Sequence, residues 1–332
     1  MKSIWVPILL GIILVFILFN IYRSENEDQV VNQDTPAVNE VIREDSSWTA
    51  PILSMDTTLT PAELKKIQYG RDLIANTSQY LGPEGSVAHN SNGMNCQNCH
   101  LDAGAKPWAN SLAAVSTSYP KFKSRSNSIQ DIYQRINDCF LRSLNGKKLH
   151  TNSIEMQSMY AYIKWLGKGV SKNKKAANAG LPELPFIKRA ADAVQGNLVY
   201  GNLCQSCHGK QGEGVLNGAK TGYEYPPVWG KNSFNDGAGL FRISSMASFV
   251  SNNMPFGQAL HDDPVLTTEQ AWDVAAFINS QRRPHITQRH DYPNKASKPF
   301  DFPYGPYADG FKKLQHKYGP FNPIISAKTK KG

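Results

Sequence analysis

Cysteine is scarce in this 332-residue chain: there are five, and none precedes Cys96. That absence excludes a lipid-modified cysteine near the N-terminus. Four of the five fall into two C-x-x-C-H motifs, Cys96–His100 and Cys204–His208, and the fifth, Cys139, stands alone. No free pair is left for a disulfide framework. Long basic runs interleaved with aromatics are missing too. The formal charge of +9 therefore does not point to nucleic acid, and none is expected as a partner. Charged residues make up 19% and hydrophobic ones 40%, a balance that excludes wholesale disorder.

One long apolar run occurs, Ile4 to Tyr22, with Trp5 and Tyr22 near its ends and Arg23, Glu25, Glu27 and Asp28 after it. About 20 apolar residues span a bilayer core as a helix, and aromatics favour its headgroup borders. No A-x-A-like cleavage site follows the run, so it reads as an N-terminal transmembrane helix more than as a signal peptide. Residues 1–23 are thus expected to be anchor or signal, and the polar, acidic residues 24–54 a flexible tether. Either reading exports the rest of the chain.

The remainder is expected to be mainly α, and its plan occurs twice. Thr60-Pro61-Ala62-Glu63 has the form of a helix start, and the first C-x-x-C-H follows a loop rich in Gly and Asn. Ile129, Ile132, Ile136, Phe140 and Leu144 recur at helical spacing and predict a helix over 128–144; a second helix is predicted over 153–166, ended by Gly167. A helix over 190–203 then leads into the second C-x-x-C-H, followed by a Gly-rich loop and a closing helix over 267–281. The expected architecture is two tandem cytochrome c domains, residues 55–170 and 186–285, joined by a linker at 171–185. An extended C-terminal segment, 286–332, is rich in Pro, Tyr and Phe and is expected to wrap their surface.

In C-x-x-C-H two thiols add to haem vinyl groups and the histidine binds iron. Cys96, Cys99, Cys204 and Cys207 are therefore the expected attachment sites of two covalent haem c groups, with His100 and His208 as proximal iron ligands. A zinc or redox C-x-x-C is disfavoured, because both motifs end in His and neither has a second cysteine pair. Such attachment normally occurs outside the bacterial cytoplasm, which agrees with export. For the second iron, Met254 in N-N-M-P is the preferred sixth ligand, with Met246 as competitor. A thioether ligand raises the reduction potential. For the first iron, Cys139 lies 39 residues after His100, and Arg135, Cys139 and Ser143 share a helix face at i, i+4 and i+8. A neighbouring guanidinium favours thiolate. Cys139 can equally be an inert core thiol, and Met156, Met159, His89 and His150 are other ligand candidates. Arg125 and Arg135 near one thiolate would make a pocket for a small oxyanion. Alternatively Arg125, Arg135 and Arg142 are solvated charges or partners of haem propionates.

The segments R-I-N-D-C-F-L-R-S-L-N-G, C-Q-S-C-H-G, N-D-G-A-G-L-F-R, N-N-M-P and the tail D-Y-P-N-K-A-S-K-P-F-D-F-P-Y-G-P-Y resemble the di-haem thiosulfate dehydrogenase family, which includes tetrathionate reductases. The resemblance covers roughly residues 60–325. It implies an active-site haem ligated by His100 and Cys139, with Arg125, Arg135 and Ser143 holding substrate, and an electron-transfer haem ligated by His208 and Met254. It implies thiosulfate and tetrathionate as substrate and product, and a soluble or membrane cytochrome as electron partner. Some members carry Lys just before that methionine and exchange ligands on reduction; this chain has Asn253 there. The alternatives are a non-catalytic electron-transfer cytochrome on the periplasmic side, and the haem subunit of a sulfur-oxidising complex.

Overall fold

The helices of the two haem segments are arranged alike, and a mostly irregular C-terminal segment packs against both. The computed structural model describes residues 47–171, 176 and 178–330. The expected membrane helix, residues 24–46 of the tether, and residues 172–175 and 177 of the linker lie outside the described residues. Among the described residues no helix is long and apolar enough to cross a membrane.

The first unit holds α1 (Pro61–Ala75), α2 (Ile132–Arg142) and α3 (Ile154–Leu166). Thr60 starts α1: its hydroxyl accepts from Glu63 N at 3.3 Å, and the Glu63 carboxylate accepts from Thr60 N at 2.9 Å. This reciprocal pairing satisfies two end N–H groups, and Pro61 follows in a turn that needs no donor. α1 buries Ile67, Gly70, Leu73 and Ile74. It crosses α3 at Gly70, where an added Cβ would lie 2.0 Å from the Ser158 carbonyl oxygen.

α2 begins later than its apolar spacing predicts. Ser128–Gln130 form β2, paired antiparallel to β1 (Lys121–Lys123), with Phe122 opposite Ile129. Ile129 is 69% exposed, so it was the wrong residue to count as a core position. Asp131 is the true start, exchanging backbone and side-chain bonds with Gln134 at 2.8 and 2.9 Å.

The second unit repeats the crossing. α4 (Ala193–Leu203) is capped by Asp192, α5 (Ile243–Asn253) follows the Gly-rich loop, and α6 (Thr268–Ser280) starts with a Thr267/Gln270 capping box. α4 meets α6 at Gly196, where a Cβ would lie 1.9 Å from the Asp273 carbonyl oxygen. In both units a glycine without a side chain lets two helix backbones touch.

The buried apolar side chains form two clusters, one around Leu73, Ile136, Phe140 and Tyr162, the other around Tyr200, Phe249, Trp272 and Val274. The division does not follow the chain strictly. Leu101 and Ala109, from the first haem segment, lie in the second cluster, and Cys99 packs against it. Trp48, at the end of the expected tether, is buried, and Asn178 brackets its backbone N–H and carbonyl at 3.0 and 2.7 Å. Ala50 and Leu53 also pack against the first cluster. In the tail, Phe321 and Ile324 enter the second cluster. Asp301, fully buried, pairs with Arg242 at 2.6 Å. The tail also reaches α2, because both Asp291 carboxylate oxygens accept from Arg142, at 2.8 and 2.9 Å.

Candidate functional site

At the first motif the chain makes one tight turn. Asn95 and Asn98 cap each other across it, Cys96 N donates to Thr77 Oγ1 at 3.0 Å, and His100 N donates to the Cys96 carbonyl at 3.0 Å. His100 Nδ1 lies 2.6 Å from the Asn110 carbonyl oxygen. A carbonyl only accepts, so the ring carries its proton on Nδ1 and leaves Nε2 free as a ligand. Burial, with Arg135 adding to it, lowers the His100 pKa to about 4, which keeps the imidazole neutral. Burial raises the thiols of Cys96 and Cys99 to about 12.

Cys96, Cys99 and His100 line a cleft with about 660 Å³ of empty space counted out to its mouth. Arg135, Cys139 and Ser143 of the α2 region line the same cleft, and most of the rest is apolar: Ile74, Leu112, Val115, Phe140, Leu144 and Ile163. Arg135 Nη1 donates to Cys139 Sγ at 2.8 Å. The Cys139 sulfur raises the Arg135 pKa, so the guanidinium stays charged inside the cleft. An apolar cleft with two thiols and an imidazole from one turn, and a further sulfur from α2, fits a covalently attached haem in donor chemistry. Among the described residues no group of three or more His, Cys, Asp or Glu could hold a metal ion, so a zinc site has no ligand set there. Of the other ligand candidates, Met159 lines the cleft, Met156 is buried elsewhere in the core, and His89 and His150 are exposed.

The structure separates the arginines. Arg125 does not line the cleft; its Nη1 donates to the Gly237 carbonyl at 2.6 Å, and it lies 3.5 Å from Asp291 and over the rings of Tyr292 and Phe302. Arg142 is neither solvated nor in the cleft, being held by Asp291. A further cation, Lys123, is not singled out by the sequence pattern of the site. Lys123, on β1, has its pKa lowered to about 8 by burial first, then by the charges of Arg135, Lys121 and Arg125. Its signal was present in Lys121-Phe122-Lys123, where alternation puts both lysines on one strand face.

The second motif repeats the proximal geometry. His208 N donates to the Cys204 carbonyl at 3.0 Å, and His208 Nδ1 lies 2.8 Å from the Pro226 carbonyl oxygen. Burial lowers the His208 pKa and raises that of Cys204 to about 11. Met254 ends α5 in extended backbone and packs, partly buried, against the second core. Met246 is buried within that core.

These two sites on two like helical units define a c-type cytochrome with two haem c groups, each held covalently. The family model described as "SoxA/TsdA, cytochrome c domain" matches residues 86–171, and that described as "Cytochrome c" matches residues 193–282. The thiosulfate dehydrogenase of Allochromatium vinosum is 38% identical over 239 residues, 71% of this chain and 83% of that one. That of Stutzerimonas stutzeri is 34% identical over 218 residues, 66% of this chain and 67% of that one. The solved "as isolated" structure of thiosulfate dehydrogenase (TsdBA) from Marichromatium purpuratum is similar at a TM-score of 0.64 and 31% identity over 72% of this chain; the chain spans 50% of that protein's length. The chain belongs to the di-haem thiosulfate dehydrogenase family.

Proposed function

We propose that the protein interconverts thiosulfate and tetrathionate, and that the first haem site is where the sulfur–sulfur bond is made or broken. The observation that carries this reading is the Arg135–Cys139 pair, a guanidinium 2.8 Å from the sulfur of the cysteine outside the two motifs, inside the cleft of the first C-x-x-C-H motif. A charge-assisted bond of that kind stabilises negative charge on sulfur.

In the oxidative direction, the Cys139 thiolate forms an S–S bond to the sulfane sulfur of one thiosulfate, and two electrons leave. The sulfane sulfur of a second thiosulfate then attacks the sulfane sulfur of that adduct. The bond to Cys139 breaks, the thiolate is restored, and tetrathionate departs. Two dianions must come together, so positive charge fixed in advance is the main help the protein can give. Arg135 supplies it in the cleft, Ser143 offers a hydroxyl, and Lys123, which feels the Arg135 charge, adds to it from β1. His100 and Cys139 would hold the first haem and His208 and Met254 the second. When bound, the haems supply one-electron redox chemistry linking the sulfur site to an external carrier cytochrome. Residues 47–332 are placed on the periplasmic side, with the run Ile4–Tyr22 as anchor, because covalent haem attachment follows export.

The test is an assay of purified holo-protein in both directions: thiosulfate with an artificial oxidant, and tetrathionate with a reductant. Turnover in at least one direction is expected. Activity in neither would return the chain to the electron-carrier reading.

A further inference from the structure

The loop after the first C-x-x-C-H carries Trp108 and Asn110, both with left-handed backbone, φ +59° and +58°. A bulky residue there is unusual and persists only where its surroundings hold it. They do so here: Trp108 N donates to the Asn178 carbonyl at 2.9 Å and Asn110 N to the Gly180 carbonyl at 3.0 Å. Asn110 in turn serves the first haem site, its carbonyl accepting from His100 Nδ1 and its amide donating to the Cys99 carbonyl at 3.1 Å.

The same loop touches the segment around Met254 at three points. Asn253 Nδ2 donates to the Trp108 carbonyl at 3.3 Å. The Trp108 indole stacks on the His261 ring, centroids 4.0 Å apart and planes 16° from parallel. Lys106 Nζ lies 5.8 Å from the centre of the Phe256 ring. His261 Nδ1 is 2.6 Å from Asn252 Oδ1, so the stack is tied back to the buried residues just before Met254.

We propose that Trp108 is a positioning residue for Met254, holding the sixth ligand of the second haem through a loop that also orients the proximal histidine of the first. The inference rests on Met254 being that ligand. A thioether borne on a loop competes with solvent and with small bases, and its hold is set by how often the loop opens. Removing the indole removes the stack on His261 and frees that opening. Replacing it by phenyl keeps a ring face for His261 and leaves the carbonyl bond to Asn253 in place.

The experiment uses oxidised holo-protein and imidazole as the probe, following the thioether-to-iron charge-transfer band, with Cys139→Ala holo-protein as the background that removes thiolate absorption. In Trp108→Ala the imidazole concentration for half-loss of the band is expected to fall about tenfold, the factor expected when the open population rises tenfold. Trp108→Phe should stay near the unsubstituted protein. His261→Ala, on a partly exposed ring, removes the same stack with little risk to folding and should shift the midpoint in the same direction. It decides alone if Trp108→Ala yields no holo-protein. Unchanged midpoints in the alanine variants, or a Phe variant as weak as the Ala variant, would overturn the proposal. Absence of the band from the unsubstituted protein would overturn the Met254 assignment itself, and this inference with it.

Discussion

The two haem segments share a scaffold and differ in what faces the far side of each motif. In each, a glycine lets the first helix press on the backbone of the closing helix, Gly70 on Ser158 and Gly196 on Asp273. In each, the motif histidine gives its Nδ1 proton to a backbone carbonyl, Asn110 or Pro226. Beyond that the two part. The first presents Cys139 in the grip of a charged Arg135, with Lys123 nearby. The second presents Met254 at the end of a buried helix, packed on apolar neighbours. On the proposed reading, one scaffold thus supports a site that holds anions and changes sulfur bonding, and a site that carries electrons. The difference lies in a few residues outside the repeat.

Five substitutions would break or sharpen this contrast. The largest effect is expected at Asp291, which joins Arg142 and Arg125 to the tail. Asp291→Ala leaves two part-buried arginines without their carboxylate and should cost about 3 kcal/mol, the usual result of breaking such a pair from one side. Thermal unfolding of the holo-protein reads it. Next is Arg135→Met, which removes the charged donor to Cys139 and should lower kcat/KM for thiosulfate about 100-fold, in line with a hydrogen bond to a charged group. The second haem should keep its spectrum, so a change there would break the comparison.

Gly70→Ala and Gly196→Ala test the shared scaffold. Both force a methyl into backbone, and each should destabilise its own unit by about 2 kcal/mol. A strong effect at one and none at the other, in denaturant titrations followed at each haem, would show that the repeat is only apparent. The smallest effect concerns pH. Lys123 titrates at about 8, below the ordinary lysine range, so it is charged at pH 7 and neutral at pH 9. Anion binding at the first site should weaken by up to about fivefold as pH rises through that range, the worth of one partly screened charge. Lys123→Met should show the weaker binding at both pH values and a flatter KM profile.

What the sequence disclosed was what is local along the chain. The two C-x-x-C-H turns, the helix start at Thr60, and the i, i+4 relation of Arg135 to Cys139 all lie within a few residues. β2 falls inside the helix predicted over 128–144 because Ile129 fits a helical spacing, and the spacing does not report that its side chain faces solvent. Contacts joining distant segments left no readable trace. Position along the chain puts Arg125 beside Arg135, yet its guanidinium is held by Gly237 and Asp291, more than a hundred residues away. Trp108 sits in a loop of no marked pattern, and its stack on His261 exists only once both units are folded.

The central claim is that the chemistry belongs to the first site and depends on Cys139. The direct measurement is rapid mixing of oxidised Cys139→Ala holo-protein with thiosulfate, followed at the absorbance of both haems. The account predicts that thiosulfate reduces neither haem, although a strong artificial reductant still reduces both. Reduction of the second haem by thiosulfate at the rate of the unsubstituted protein would contradict it.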